Sequence, residues 1–125
     1  MRILVVEDDR LAQKVARFHL EKLGYIVDIA ATGAEALNLT MQHPYILIFM
    51  DLGLRDFTGF EITKKIREQQ GRNNNTPIVA LTAHDQSTVN DQCIAANMNA
   101  YLRKPIERDK AKEIIELYAL KRVDE

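Results

Sequence analysis

The residues with the clearest chemical potential are acids, a hydroxyl and an amine that directly follow short apolar runs. Carboxylates crowded together repel one another unless a cation joins them, and hard divalent cations such as Mg²⁺ prefer oxygen ligands. An aspartate can also act as a nucleophile and form an acyl phosphate. The sequence therefore predicts a Mg²⁺ site with room for a phosphoryl group, formed from these positions: Glu7, Asp8, Asp9, Asp51, Thr82 and Lys104.

Each of these groups has a chemical reason to take part. Phosphoryl transfer depends on neutralising charge more than on covalent assistance. Mg²⁺ on Asp8 and Asp51 would neutralise oxygens from one side, and the Lys104 ammonium from another. The Thr82 hydroxyl could complete the oxygen contacts. Any one such residue is usually a helix cap or a loop residue, and Asp9 is a candidate cap. Their joint occurrence at successive strand ends favours the functional interpretation.

These residues meet only if the chain folds as alternating strands and helices. Short apolar runs alternate with amphipathic stretches, which predicts a parallel sheet with helices on both faces. Ligands of such sheets bind beyond the carboxyl ends of the strands. The predicted strands are Ile3–Val6, Tyr25–Ala30, Tyr45–Met50, Ile78–Leu81 and Asn99–Arg103.

The helices are predicted from apolar residues at helical spacing. Leu11, Val15 and Phe18 recur at this spacing on the first helix, and Leu117 is available to pack on the last. A polar loop is predicted between Gly71 and Pro77. The predicted helices are Arg10–Leu23, the segment from Thr32-Gly33 to His43-Pro44, Gly59–Gln70, Ser87–Asn97 and Ile106–Lys121.

Composition limits the classes of function. The 125 residues fit one domain, predicted to span residues 1–125, and 46% hydrophobic residues suffice for one core. A formal net charge of -1 gives no general attraction to nucleic acid or anionic lipid, so we expect neither direct nucleic-acid binding nor membrane insertion. No apolar run suits a signal peptide or a membrane span, which predicts a soluble, cytoplasmic domain. The lone cysteine, Cys93, is interpreted as a buried apolar residue.

From Ile3 to about Leu120 the chain resembles the response-regulator receiver family. This resemblance implies a single flavodoxin-like (βα)5 fold, with a five-stranded parallel sheet in the order 2-1-3-4-5. It also implies transfer of a phosphoryl group from a phosphohistidine of a histidine kinase or histidine phosphotransfer domain, and signalling to a downstream output domain or protein. The segments that carry the resemblance are Ile3–Asp9, Met50–Leu54 with Gly59, Ala80–Ala83 and Tyr101–Pro105.

The resemblance assigns a role to each site residue. The implied catalytic residues are Asp51 as the phosphoacceptor, Lys104 and Thr82. The implied metal ligands are Asp8, Asp51, the backbone carbonyl of Gly53 and, through water, Glu7. Mg²⁺ is the expected cofactor, and Mn²⁺ could substitute for it. The implied switch residues are Thr82, which would bind the phosphoryl group, and Tyr101, which would then turn inward.

Some residues depart from the common family pattern. Arg55 stands where the family often has proline, which leaves the rigidity of this loop open and could place a cation near the phosphoryl entrance. Thr58 replaces the common acidic or serine residue before Gly59. The Gly-Leu pair after Asp51 and the segment Thr82–His84 resemble receivers of hybrid sensor kinases. His84 is either an exposed loop residue or a residue at the mouth of the site that affects dephosphorylation.

Three other functions fit this sequence less well. A Mg²⁺-dependent aspartyl phosphatase usually carries a second Asp two residues after the nucleophile, where this chain has Gly53. A flavodoxin-like flavin carrier would need a phosphate-binding loop after the first strand, where Glu7, Asp8 and Asp9 would repel a flavin phosphate. An adaptor that works without phosphorylation would use only the fold, and would not need the complete set of site residues.

Overall fold

The computed structural model of the chain describes residues 1–71, 73–83 and 87–120, and of residues 87–90 only the backbone. Strands and helices alternate along it, as the sequence predicts. The strands are β1 (Arg2–Val6), β2 (Ile26–Ala30), β3 (Leu47–Asp51), β4 (Ile78–Thr82) and β5 (Ala100–Arg103). The helices are α1 (Arg10–Lys22), α2 (Gly33–Gln42), α3 (Gly59–Glu68), α4 (Ser87–Ala95) and α5 (Arg108–Ile114), which continues as a π-helix over Ile115–Leu120.

The strands form one parallel sheet in the order β2-β1-β3-β4-β5. In its register Val5 lies opposite both Ile29 and Phe49, and Asp51 lies opposite Leu81. This arrangement confirms the predicted fold class, the flavodoxin-like (βα)5 fold with strand order 2-1-3-4-5. All carboxyl ends of the strands point to the same edge of the sheet, because every pairing is parallel.

Both faces of the sheet are buried, because successive side chains of a strand point to opposite faces. In β1, Ile3 and Val5 belong to the apolar cluster shared with α1 and α5. Leu4 and Val6 belong to the cluster shared with α2, α3 and α4. All five residues of β3 are buried, which fits a central strand covered on both sides. Cys93 lies in the second cluster, where burial raises the pKa of its thiol.

Side chains just before the first turn cap three of the helices among the described residues. The candidate cap Asp9 is confirmed, because it accepts a 2.8 Å hydrogen bond from the backbone N–H of Ala12. Thr58 accepts a hydrogen bond from the N–H of Glu61, whose carboxylate accepts one from the Thr58 N–H in return. This reciprocal pair is a capping box, which gives the departure at Thr58 a structural reason.

Helical spacing predicts α1 but does not identify which of its residues the sheet covers. Leu11 and Phe18 are 70% and 48% exposed, and the residues that α1 buries are Ala16 and Leu20. Leu117, available to pack by its spacing on the last helix, is 55% exposed. The last helix begins at Arg108, later than predicted, and its predicted end lies outside the described residues.

The predicted polar loop before β4 contains a buried residue that the sequence did not single out. Asn73 is 1% exposed, and both ends of its side-chain amide are hydrogen bonded. Its Oδ1 accepts from the Tyr45 N–H at 2.9 Å and from the Thr76 hydroxyl at 3.0 Å. Its Nδ2 donates to the carbonyls of Thr40 and His43. Asn73 therefore joins the end of α2 to the segments before β3 and β4.

We expect Asn73→Ala to lower the free energy of unfolding by about 3 kcal/mol, because it leaves several buried backbone groups without partners. The measurement is urea denaturation followed by far-UV circular dichroism. The control is Asn75→Ala, because Asn75 lies in the same loop but is exposed, and its change should stay within about 0.5 kcal/mol. Equal losses in the two variants would contradict the role given to Asn73.

Candidate functional site

The site forms where the carboxyl ends of four adjacent strands meet. Glu7 directly follows β1, and Asp51 is the last residue of β3. Thr82 is the last residue of β4, and Lys104 directly follows β5. The backbone N–H of Lys104 donates a 2.8 Å hydrogen bond to the Thr82 carbonyl, which holds the start of the β5–α5 connection against β4. Neighbouring strands thus deliver the acids, the hydroxyl and the amine to one place.

The centre of the site is an ammonium group between two buried carboxylates. Lys104 Nζ lies 2.7 Å from Glu7 Oε1 and 3.1 Å from Asp51 Oδ1. Glu7 is 1% exposed and Asp51 is 6% exposed, so both acids are largely removed from solvent. Ion pairs in such surroundings are screened little by salt. Lys104 therefore fixes the positions of both acids by direct contact.

Burial and charge change the protonation of this group. Burial, followed by a hydrogen bond with Asp51, raises the pKa of Glu7 to about 7. Burial alone would lower the pKa of Lys104, but its hydrogen bonds and charge interactions with Glu7 and Asp51 outweigh burial and raise it. The protonated form of Glu7 therefore favours the metal-free fold. This contribution is complete below about pH 4.5 and is lost as the pH rises through about 7.

The donor set suits a divalent cation. One carboxylate oxygen each from Glu7, Asp8 and Asp51 can be chosen so that all lie within 4.8 Å of one another. When ionised, these three acids carry three negative charges against the one positive charge of Lys104, which leaves a deficit that a divalent ion would balance. Glu7 Oε1 is buried, and the positive charge beside it is that of Lys104 Nζ at 2.7 Å. Hard carboxylate oxygens around an uncompensated charge fit Mg²⁺.

The β3–α3 loop, residues 52–58, borders the acids. The Gly53 N–H donates a 3.1 Å hydrogen bond to Asp51 Oδ1, and Gly53 forms an isolated bridge with Thr58 across the loop. Arg55 Nε lies 3.9 Å from Asp8 Oδ2, and the Arg55 side chain is 91% exposed. Arg55 thus places a positive charge at the mouth of the site. A pair so exposed contributes little to stability.

The predicted switch residues lie on β4 and β5. Thr82 is 5% exposed at the end of β4. Tyr101 pairs with Ala80 and is half-buried against the apolar cluster of α2, α3 and α4. Paired residues of parallel strands point to the same face of the sheet, so Tyr101 shares a face with Ala80. Thr82 lies two residues after Ala80 on the same strand and therefore points to that face as well. His84, for which the sequence leaves two roles open, lies outside the described residues.

Two features of the site go beyond the sequence prediction. Glu7 was expected to assist a metal through water, and its direct ion pair with Lys104 was not anticipated. An apolar groove of about 420 Å³, the α1 groove, opens beside Lys104 and is lined mainly by Leu11, Val15, Pro105 and Ile106. The only sequence signal for this groove was Leu11 itself, which belongs to the apolar series on α1 but does not pack into the core.

Comparison with known proteins gives a consistent result. A family profile described as "Response regulator receiver domain" matches residues 3–116. The chain is 38% identical to the aerobic respiration control sensor protein ArcB of Escherichia coli (strain K12), over 85% of the chain and 14% of ArcB. The chain spans only 7% to 15% of the length of the curated relatives compared with it.

Solved structures show the same fold. The receiver domain of the Pseudomonas aeruginosa sensor histidine kinase PA1611, with magnesium coordinated in its active-site cleft, has a TM-score of 0.86 and 35% identity over 94% of this chain and 96% of that one. The receiver domain of Saccharomyces cerevisiae Ssk1, crystallised with the histidine phosphotransfer protein Ypd1, has a TM-score of 0.88 and 27% identity, covering 98% and 90% of the two chains.

Among the described residues, no helix is both long and apolar enough to cross a bilayer. The strand order, the acidic cluster with its lysine and the profile match over almost the whole chain agree with one another. The chain belongs to the response regulator receiver domain family, whose members act in two-component and phosphorelay signalling.

Proposed function

We propose that Asp51 is the phosphoryl acceptor of this domain and that Lys104 and Thr82 assist the transfer. The observation that carries this proposal is the setting of the Asp51 carboxylate. Its Oδ1 lies 3.1 Å from both the Lys104 ammonium and the Gly53 N–H, and it adjoins the acids Glu7 and Asp8. A carboxylate in this setting is oriented, close to positive charge and largely shielded from bulk water.

The proposed reaction is an exchange of one bond for another. A carboxylate oxygen of Asp51 attacks the phosphorus of a phosphohistidine, the P–N bond breaks, and the imidazole leaves with the bonding electron pair and takes up a proton. The Lys104 ammonium and the Thr82 hydroxyl contact oxygens of the transferred group. Bound Mg²⁺ would supply charge neutralisation at these oxygens. Water later hydrolyses the acyl phosphate and restores Asp51.

The proposed metal ligands are Asp8, Asp51 and the Gly53 carbonyl, with Glu7 acting through water. Their proximity supports this assignment, since carboxylate oxygens of Glu7, Asp8 and Asp51 lie within 4.8 Å of one another. We propose that Mn²⁺ can replace Mg²⁺, because both ions accept hard oxygen ligands in octahedral geometry. We also propose that residues 1–125 act as one receiver domain in the cytoplasm.

The proposed donor is a histidine kinase or a histidine phosphotransfer domain. The α1 groove supports this choice, because it places an apolar surface directly beside Lys104, where a donor that carries the phosphohistidine must approach. Leu11 is 70% exposed at its rim. The complex of Ypd1 with the Ssk1 receiver domain supports the same kind of partner. Phosphorylation would shift Thr82 and Tyr101 and so change the α4-β5-α5 face for an output domain or protein.

We expect the wild-type domain, incubated with acetyl phosphate and Mg²⁺, to gain the mass of one phosphoryl group. Asp51→Asn should gain none, because the amide cannot form the acyl phosphate. The measurement is intact-protein mass spectrometry. The control is Asp91→Asn, since Asp91 is an exposed aspartate on α4 outside the acidic cluster, and its yield should equal that of the wild type. Undiminished phosphorylation of Asp51→Asn would remove Asp51 from its proposed role.

We expect Leu11→Lys to slow transfer from a phosphorylated histidine phosphotransfer protein by roughly tenfold, because a charge would replace an apolar contact beside the acceptor. Phosphorylation by acetyl phosphate should be unchanged, since this small donor needs no docking surface. Met41→Lys is the matched control, because Met41 on α2 is 73% exposed and lies outside the groove. If Leu11→Lys leaves both rates unchanged, donor docking at the α1 groove is wrong.

We expect Mg²⁺ affinity to rise by up to about tenfold per pH unit as the pH increases toward 7, and to level off above it. The reason is that burial and Asp51 raise the pKa of Glu7 to about 7, so that at lower pH the ion must displace a proton. Isothermal titration calorimetry at about pH 6 and about pH 8 measures the difference. Glu7→Gln should bind more weakly but with a flatter pH dependence. Equal wild-type affinities at the two pH values would contradict the role of Glu7.

A further inference from the structure

The side chain of Asp56 links the β3–α3 loop to the beginning of α2. Asp56 Oδ1 accepts a 2.9 Å hydrogen bond from the Gly33 N–H, and Oδ2 accepts a 3.1 Å hydrogen bond from the Ala34 N–H. These N–H groups belong to the first turn of α2, where the helix itself offers no acceptors. The Asp56 carboxylate thus caps a helix that begins 23 residues earlier in the chain.

An apolar contact beside this carboxylate holds the same loop. Gly33 is buried, and a Cβ at this position would collide with the side chain of Ile62 and lie 2.9 Å from the ring of Phe57. The ring therefore packs directly on the Gly33 backbone, next to the hydrogen bonds made by Asp56. The Phe57 N–H also donates a 3.0 Å hydrogen bond to Asp56 Oδ1. Polar and apolar contacts from adjacent residues thus attach the loop to one point on α2.

The attached loop is the one that shapes the acceptor. At its beginning, the Gly53 N–H donates to Asp51 Oδ1. At its end, the Gly59 N–H donates a 3.0 Å hydrogen bond to the Leu52 carbonyl. Between these points lies Arg55, whose side chain is 91% exposed, where the family often has a rigid proline. In the described part of the chain, the side-chain hydrogen bonds that link residues 54–57 to a distant segment are those of Asp56.

The charge of Asp56 suits this role. Hydrogen bonds from backbone N–H groups, first that of Gly33, lower the pKa of Asp56. The carboxylate is therefore in its charged form at neutral pH, in which it accepts hydrogen bonds most strongly. It also lies at the positive end of the α2 dipole.

We propose that Asp56 is a positioning residue for the acceptor site, because by capping α2 it fixes the loop that places the Gly53 backbone beside Asp51. This inference rests on the proposed function, in which the Gly53 carbonyl is a metal ligand. Loss of the Asp56 carboxylate would let the β3–α3 loop move, so that Gly53 would be correctly placed for only part of the time. Metal affinity would fall, although no residue that touches the metal has changed.

The test compares two caps of the same helix. Thr32 Oγ1 accepts a 3.1 Å hydrogen bond from the Glu35 N–H, so Thr32 also caps α2, but within the described part of the chain its side chain forms no hydrogen bond with the β3–α3 loop. Asp56→Ala and Thr32→Ala should both lower the melting temperature, by roughly 4 °C. Only Asp56→Ala should weaken Mg²⁺ binding, by roughly tenfold in Kd measured by calorimetry. Asp56→Asn, which keeps one acceptor oxygen, should fall between the wild type and Asp56→Ala.

A second measurement needs no metal. In the heteronuclear ¹⁵N NOE of the metal-free protein, the Gly53 amide should become more mobile in Asp56→Ala and stay unchanged in Thr32→Ala. Unchanged Gly53 mobility together with a wild-type Kd in Asp56→Ala would overturn the positioning role while leaving the proposed function intact. Equal loss of Mg²⁺ affinity in both variants would also overturn it, because a general effect of helix stability would then suffice. A wild-type domain that binds no Mg²⁺ would instead refute the metal site of the proposed function, and this inference with it.

Discussion

The constraint on which the rest of this structure depends is the clustering of buried carboxylates. Glu7 and Asp51 are both largely removed from water and share one ammonium, that of Lys104. Two buried carboxylates beside a third acid are costly for a fold unless positive charge accompanies them. The chain meets part of this need with its own lysine, and the divalent ion of the proposed function would balance the remaining charge.

The scaffold meets this constraint through the direction of its strands. In a parallel sheet the carboxyl ends of neighbouring strands are a few ångströms apart, although their residues are far apart in the sequence. Hydrogen bonds then refine the placement, since the Lys104 N–H binds the Thr82 carbonyl and the Gly53 N–H binds Asp51. Strand pairing therefore brings the site residues close together, and individual backbone hydrogen bonds fix their positions relative to one another.

Much of the fold and the site could be predicted from the sequence, because both depend on short-range patterns. Apolar runs located the strands, and the acids, hydroxyl and amine at the ends of four of them lie at one edge of the sheet. The sequence did not reveal the roles of Asn73 or Asp56, because each binds backbone groups at one end of α2, far away in the chain, and only the folded backbone brings them together. It also did not indicate that Leu11 is exposed, since helical spacing identifies apolar positions but not which of them the sheet covers. Local sequence patterns thus could not predict long-range contacts or which residues of a helix are buried.

The close approach of α3 to the end of β3 restricts which residues can replace Gly59. A Cβ at Gly59 would collide with the carbonyl oxygen of Asp51 and lie 2.9 Å from the Cα of Leu52. These obstacles are backbone atoms, which no change of rotamer can move aside. Every side chain larger than hydrogen at Gly59 would therefore push against the backbone at the end of β3. A residue whose side chain has no part in the proposed chemistry is thus restricted to glycine by the shape of the site.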